Sequence, residues 1–320
     1  MTITGTGTGA LTVTGRSKDG IASKDGLVID GGTITVTAVD DGIRGRDYLY
    51  INGGNVTVDA GGHALKADNT ADATVGYVAL LGGTVDLASS GDDGVNAQAV
   101  IVGEAALAIA AAADGMHADL DMVIGGGTIR VMSSYEALEA ATMAISGGTL
   151  DLVSEDDGIN IAGGVDISGG TITIHAQGDG FDSNGSATMS GGTLAVYGPT
   201  NDGNGAMDVN GTFDVSGGTL AAGGSSGMAE VPGVDSAQGW ASVTFSGSLA
   251  AGTTVELVSA GTVVASYTAE KVIASVVFSN ADITSGAEYE VVVDGTSVGT
   301  ITAGEHVGGT GGPGGGGPRG

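Results

Sequence analysis

Residues 39–47 read VDDGIRGRD, two aspartates followed closely by Arg44 and Arg46. The whole chain has only 9 lysines and arginines against 37 aspartates and glutamates. Six of those 9 bases, Arg16, Lys18, Lys24, Arg44, Arg46 and Lys66, fall within the first 66 residues. The carboxylates Asp41, Asp68, Asp72, Asp92, Asp93 and Asp114 and the imidazole of His63 lie among them or shortly after. Guanidinium and ammonium groups pair with ligand carboxylates, and aspartate oxygens suit a hard cation such as Ca²⁺. Gathered on one surface, these groups would form a basic stripe flanked by acids, suited to a polyanion with bridging metal. Whether they gather depends on the period of the chain.

The period is visible. The stretch DGGTITV (30–36) recurs as NGGNVTV (52–58), LGGTVDL (81–87), GGGTIRV (125–131), SGGTLDL (146–152), SGGTITI (168–174), SGGTLAV (190–196) and SGGTLAA (216–222). Between these runs a second signal, Asp-Gly before an apolar residue, falls at Gly20, Gly42, Ala64, Gly94, Gly115, Ala137, Gly158, Gly180 and Ala206. The steps are 22, 22, 30, 21, 22, 21, 22 and 26 residues, so the chain repeats about every 22 residues with two insertions. Each coil holds three short apolar pieces, for example LYI (49–51), NVTV (55–58) and ALKA (64–67). Alternation in TITVT (33–37) sends Ile34 and Val36 to one face and the threonines to the other. Strands this short are stabilised by stacking on their equivalents in the next coil. The expected fold is all-β: a right-handed parallel β-helix of about nine coils, right-handed by analogy with parallel crossovers. Glycine at the corners supplies the positive φ that sharp turns require.

The expected boundaries are 1–235 for the β-helix and 240–305 for a small antiparallel β domain without the 22-residue period. That second unit would cover the open final coil. A Gly-rich tail, 306–320, is expected to be disordered.

Stacking turns sequence into columns. Two residues after the turn glycine the column reads Ala22, Arg44, Lys66, Asn96, His117, Glu139, Asn160, Asp182, Asp208. Two further on are Lys24, Arg46 and Asp68. The candidate ligand-binding residues are therefore Arg44, Arg46, Lys66, His63 and Lys24, and the candidate metal ligands Asp41, Asp68, Asp72, Asp92, Asp93 and Asp114. A plainer reading stands beside this. Asp-Gly is a common turn pair, and stacked aspartates can be neutralised by neighbouring bases as ion pairs worth little each. A histidine without a positioned partner is a weak signal, so His63 and His117 read first as polar members of the ladder. The outward threonines suggest an ice-binding face, but Asp86, Arg130 and Asp151 interrupt the array.

A net charge of −28 disfavours nucleic acid and anionic membrane surfaces. No run of eighteen apolar residues is present, which argues against membrane insertion. There is no cysteine, hence neither a disulfide nor a thiolate metal site. Met1 leads directly into TITGTGTGALTVTG without a charged n-region or an apolar h-region, which fits either a cytosolic protein or one whose signal segment has been removed.

The stretches SKDGLVIDGGTITVTAVDDGIRGRDYLYINGG (23–54), ALKADN (64–69), GDDGVNA (91–97), SEDDGINIAGG (154–164), GDGFDSNGS (178–186) and GPTNDGNGAMD (198–208) carry a resemblance. They resemble a family of secreted bacterial carbohydrate-binding β-helix proteins, binders of acidic sugars and cellulose, distantly related to calcium-dependent pectate lyases. The resemblance runs over about residues 2–230. It implies an extracellular or cell-surface monomer that binds plant cell-wall polysaccharide such as polygalacturonate or pectin, with bound Ca²⁺. It also implies N-terminal sequence, including a signal segment, ahead of this chain. The third coil departs from the pattern: in GGHALKADN, His63 and Ala64 replace the turn Asp-Gly. In the related lyases a lysine or arginine takes the C5 proton of a uronic acid, and Lys66 is the candidate for that role. Non-catalytic binding is the favoured expectation, ahead of lyase activity and of a surface adhesin in which the rod is a spacer.

Overall fold

The computed structural model describes residues 1–306, so all but the first residue of the expected Gly-rich tail lies outside the described residues. Every regular element among them is a β-strand. The fold is a parallel β-solenoid closed at its C-terminal end by antiparallel strands.

One coil shows how local sequence makes the element. Tyr48–Ile51 and Asn55–Ala60 are separated by Asn52-Gly53-Gly54, and Gly54 sits at φ 97°, a conformation that a side chain would strain. After the second strand the chain turns at His63-Ala64 into Leu65–Ala67. Residues alternate inward and outward along Asn55–Ala60, with Val56, Val58 and Ala60 buried. The turn glycine after aspartate works differently from the expectation. Gly42 does not have positive φ; a Cβ there would lie 2.2 Å from Val58 Cγ1 and 2.6 Å from the Ala64 carbonyl oxygen. Close approach of consecutive coils, not dihedral freedom, selects glycine at this corner.

Equivalent strands stack in parallel register. The Gly-Gly strands form a continuous ladder from Ala10–Gly15 through Thr33–Ala38 and Asn55–Ala60 to Thr219–Gly224. This sheet has ten parallel rungs, one more than the nine turn signals. The additional rung is the last, Thr219–Gly224, which no turn signal follows; Ala10–Gly15 and Ala106–Ala110 lack the Gly-Gly-Thr signature but keep the turn signals at Gly20 and Gly115. In three consecutive coils the other two faces merge into single strands, Val95–Val102, Met116–Ile124 and Leu138–Ile145. Register breaks at Ala97/Ala99 and Ala118/Asp121 mark the corner between those faces. Inside, stacked apolar ladders such as Leu27–Leu49–Val78–Val100–Met122–Met143 fill the bore.

At the C-terminal end, Ile273–Ser279 pairs antiparallel with Thr219–Gly224, so the last rung is not an open edge. Trp240–Leu249 pairs on its far side, and a four-stranded antiparallel sheet with its own apolar cluster completes the cap. Val277 reaches into the solenoid core, and Tyr267 donates a hydrogen bond to the Val196 carbonyl at 3.0 Å.

Candidate functional site

The column beyond the turn forms as the period requires. Ala22 pairs with Arg44, Arg44 with Lys66, Lys66 with Asn96, and the register continues through His117, Glu139, Asn160, Asp182 and Asp208. Arg44 and Lys66 are thus vertical neighbours on one face.

The turn aspartates have a structural task that unites them. Asp41 Oδ1 accepts the amide N–H of His63 at 3.1 Å, Asp93 Oδ1 that of Asp114 at 3.0 Å, and Asp114 Oδ1 that of Glu136 at 3.2 Å. Asp157 and Asp179 do the same for Asp179 and Gly205. Each carboxylate staples its coil to the next, satisfying an amide that the corner would otherwise leave unpaired. His63 preserves the staple at the departing coil. Its Nδ1 accepts the Asp93 amide at 3.2 Å, and its Nε2 lies 3.9 Å from Asp92 Oδ2.

The second carboxylate oxygens meet the column. Lys66 Nζ lies 3.3 Å from Asp41 Oδ2. Arg44 donates from Nε at 2.9 Å and from Nη2 at 2.5 Å to the same oxygen of Asp68, with Asp19 3.8 Å from its Nη1. These contacts raise the Arg44 pKa, the Asp68 hydrogen bond most of all. Asp68 Oδ1 is buried and has no hydrogen-bond partner. Lys24 and Arg46, in contrast, are exposed and take part in no ion pair among the described residues.

The six candidate metal ligands are not brought to one point. Asp68 pairs with Arg44, Asp92 and Asp93 flank His63, and Asp72 accepts from the amide and hydroxyl of Thr74. Among the described residues, three groups place ligand atoms within 4.8 Å of one another: Asp19/Asp40/Asp41, Asp114/His117/Glu139 and Asp157/Asp179/Asp182. The first two contain Asp41 and Asp114, but each includes a competing cation. Lys66 holds Asp41, and His117, pushed up to about 11 by the hydrogen bonds that Asp114 and Glu139 accept from it, carries the charge of an imidazolium.

Further along the rod, at the turns and on the column, no base among the described residues pairs with the acids, a feature the sequence reading missed. Desolvation and mutual repulsion raise Glu136 to about 8, Asp182 and Glu230 to about 7, and Asp157 and Asp179 to about 6. Glu136 Oε2 is also buried without a hydrogen-bond partner.

Three tyrosines were missed as well. Tyr48 and Tyr50 point outward from Tyr48–Ile51, and Tyr77 opens the paired strand Tyr77–Leu80. Ring centroids lie 5.5 Å apart for Tyr48–Tyr50, 5.7 Å for Tyr48–Tyr77 and 5.6 Å for Tyr50–Tyr77. The Tyr77 phenol, pushed up to about 12 by desolvation and the Tyr50 hydroxyl, keeps its proton. The available signal was their pairing register, displaced from 22 to 29 residues by the insertion at 67–76.

The solenoid with its column of stacked, mostly charged side chains defines a repeat scaffold that displays charge in register. A family model described as "Carbohydrate-binding domain-containing protein" matches residues 1–158 and 99–275, and the chain belongs to that family. The overlap of the two matches is what a repeating chain produces. No curated protein and no solved structure matches it.

Proposed function

We propose that this protein binds an acidic plant cell-wall polysaccharide such as polygalacturonate outside the cell, without turning it over, and that Ca²⁺ assists. Family membership supports the polysaccharide. The observation that carries the acidic preference is the division of labour among the bases. Arg44 and Lys66 are consumed by Asp68 and Asp41, while Lys24 and Arg46 beside them are exposed and unpaired among the described residues. Exposed cations beside a fixed ionic frame are free to pair with ligand carboxylates, at the cost of ordering their long side chains. Lys66, the side chain that would serve as base in a lyase, is instead tied to Asp41, which favours binding over β-elimination.

The donor sets fit a hard cation, being oxygen-rich. At Asp41 and Asp114 it would compete with Lys66 and His117. At Asp157, Asp179 and Asp182 it would meet repelling carboxylates and no base, and there it would supply the counter-charge for the acidic column.

The test is titration calorimetry with galacturonate oligomers in calcium. Arg46→Ala with Lys24→Ala should weaken binding about tenfold, on the scale of one or two charge-assisted contacts, and fully methyl-esterified pectin should bind as weakly. Equal affinity for the variant and the parent would refute the acidic preference. Release of unsaturated uronides, seen as ultraviolet absorbance, would make the protein a lyase.

A further inference from the structure

We infer that Tyr48, Tyr50 and Tyr77 form a stacking shelf for the ring faces of the bound glycan, beside the cationic corner. The inference rests on the carbohydrate reading and adds a second recognition element to it. The chain has 7 tyrosines, and three of them converge here on two paired strands, their rings packed on one another and Tyr48 over Gly26. Pyranose rings present C–H patches on a face and hydroxyls at the edge. A half-exposed aromatic cluster, in which the Tyr77 phenol donates to the Tyr50 hydroxyl at 3.3 Å, offers apolar ring surface and hydroxyls to such a ligand.

The shelf is built, not incidental. Gly26, in register with Tyr48, leaves the room the ring occupies: a Cβ there would lie 1.9 Å from a Tyr48 ring carbon. The insertion 67–76 borders the same strands, and it is pinned by Gln98. The Gln98 amide donates to the carbonyls of Asn69 at 2.7 Å, Asp72 at 3.0 Å and Val75 at 3.1 Å. The outward column runs from Tyr50 over Ala79, which is buried, to the exposed Ile101 and Val123, so exposed apolar side chains resume two coils beyond Tyr50. Arg46 lies two residues before Tyr48 and Lys24 two before Gly26, which places the carboxylate-pairing groups at one margin of the shelf. A second copy of this chain is disfavoured as occupant, since each copy carries a net charge of −28. Covering a glycine with an aromatic ring is a structural device in sheets; it accounts for Tyr48 over Gly26, but not for Tyr50 and Tyr77.

Tyr50→Ala and Tyr77→Ala should each weaken binding of both a galacturonate oligomer and an uncharged β-glucan oligosaccharide about tenfold, whereas Arg46→Ala weakens only the acidic one. Unchanged affinity in both tyrosine variants overturns the shelf while leaving the acidic preference standing. Failure of the wild-type protein to bind either glycan overturns both. Nitration of Tyr50 and Tyr77 in the wild-type protein, mapped by mass spectrometry, avoids any folding defect. Saturating oligosaccharide should protect both rings, and absence of protection rejects the proposal. Loss of self-association in the tyrosine variants with glycan affinity intact would reassign the shelf to a protein interface.

Discussion

At the scale of single residues, each turn aspartate serves two neighbours with two oxygens. Asp41 Oδ1 holds the His63 amide and Oδ2 faces Lys66. The two roles separate by substitution. Asp41→Asn keeps an oxygen acceptor for the amide but discards the charge, while Asp41→Ala discards both and leaves a corner amide unpaired. Alanine should cost about 1–3 kcal/mol in urea unfolding, and asparagine markedly less. Equal losses would mean that the ion pair with Lys66, not the staple, is what stabilises this corner. The same logic explains why His63 is admissible where other coils have aspartate: the position demands an acceptor aimed at the next amide, and Nδ1 provides one.

At the scale of elements, no coil is stable by itself, and the two ends of the rod meet different fates. The final rung is paired by Ile273–Ser279, and the cap is fastened sideways as well. Tyr267 bonds the Val196 carbonyl, and the half-buried Lys271 ammonium donates to the carbonyls of Ala176 and Gly198. Tyr267→Phe leaves the packing of the ring but removes this buried hydrogen bond, and should destabilise the protein by about 1 kcal/mol. Amide exchange should quicken in Thr219–Gly224 and the cap strands before the central coils, as expected of a chain whose contacts run between nearest neighbours. Uniform quickening along the rod would contradict that picture.

For the whole molecule, the segregation of charge dominates. Most of the bases cluster near one end, and the raised carboxylates Glu136, Asp157, Asp179, Asp182 and Glu230 lie further along the chain. A carboxyl whose folded pKa exceeds its unfolded value binds protons more tightly when folded, so its penalty appears as pH rises through that window. With chelator present, stability should therefore decline from about pH 4 to about pH 8. The thermal midpoint at pH 8 should lie about 5 °C or more below that at pH 5.5. His117 adds to the same trend, since an imidazolium stabilised in the fold loses that advantage as pH climbs towards about 11. Calcium should restore the midpoint at pH 8 and do little at pH 5.5. A midpoint that rises with pH in chelator would refute the account.

The linear sequence already determined the coil, its repeat and the order of the surface columns, because stacking makes residues one period apart into vertical neighbours. Arg44 above Ala22 and Lys66 above Arg44 could be read from spacing alone. It did not reveal that Asp68 would claim Arg44, that carboxylates would use one oxygen as a staple, or that the upper acids would be desolvated. Those outcomes depend on distances of a few tenths of an ångström at coil corners and on burial, which spacing does not encode. The tyrosine cluster was hidden for a related reason: an insertion displaced its register, and only the folded corner brought Tyr77 over Tyr48.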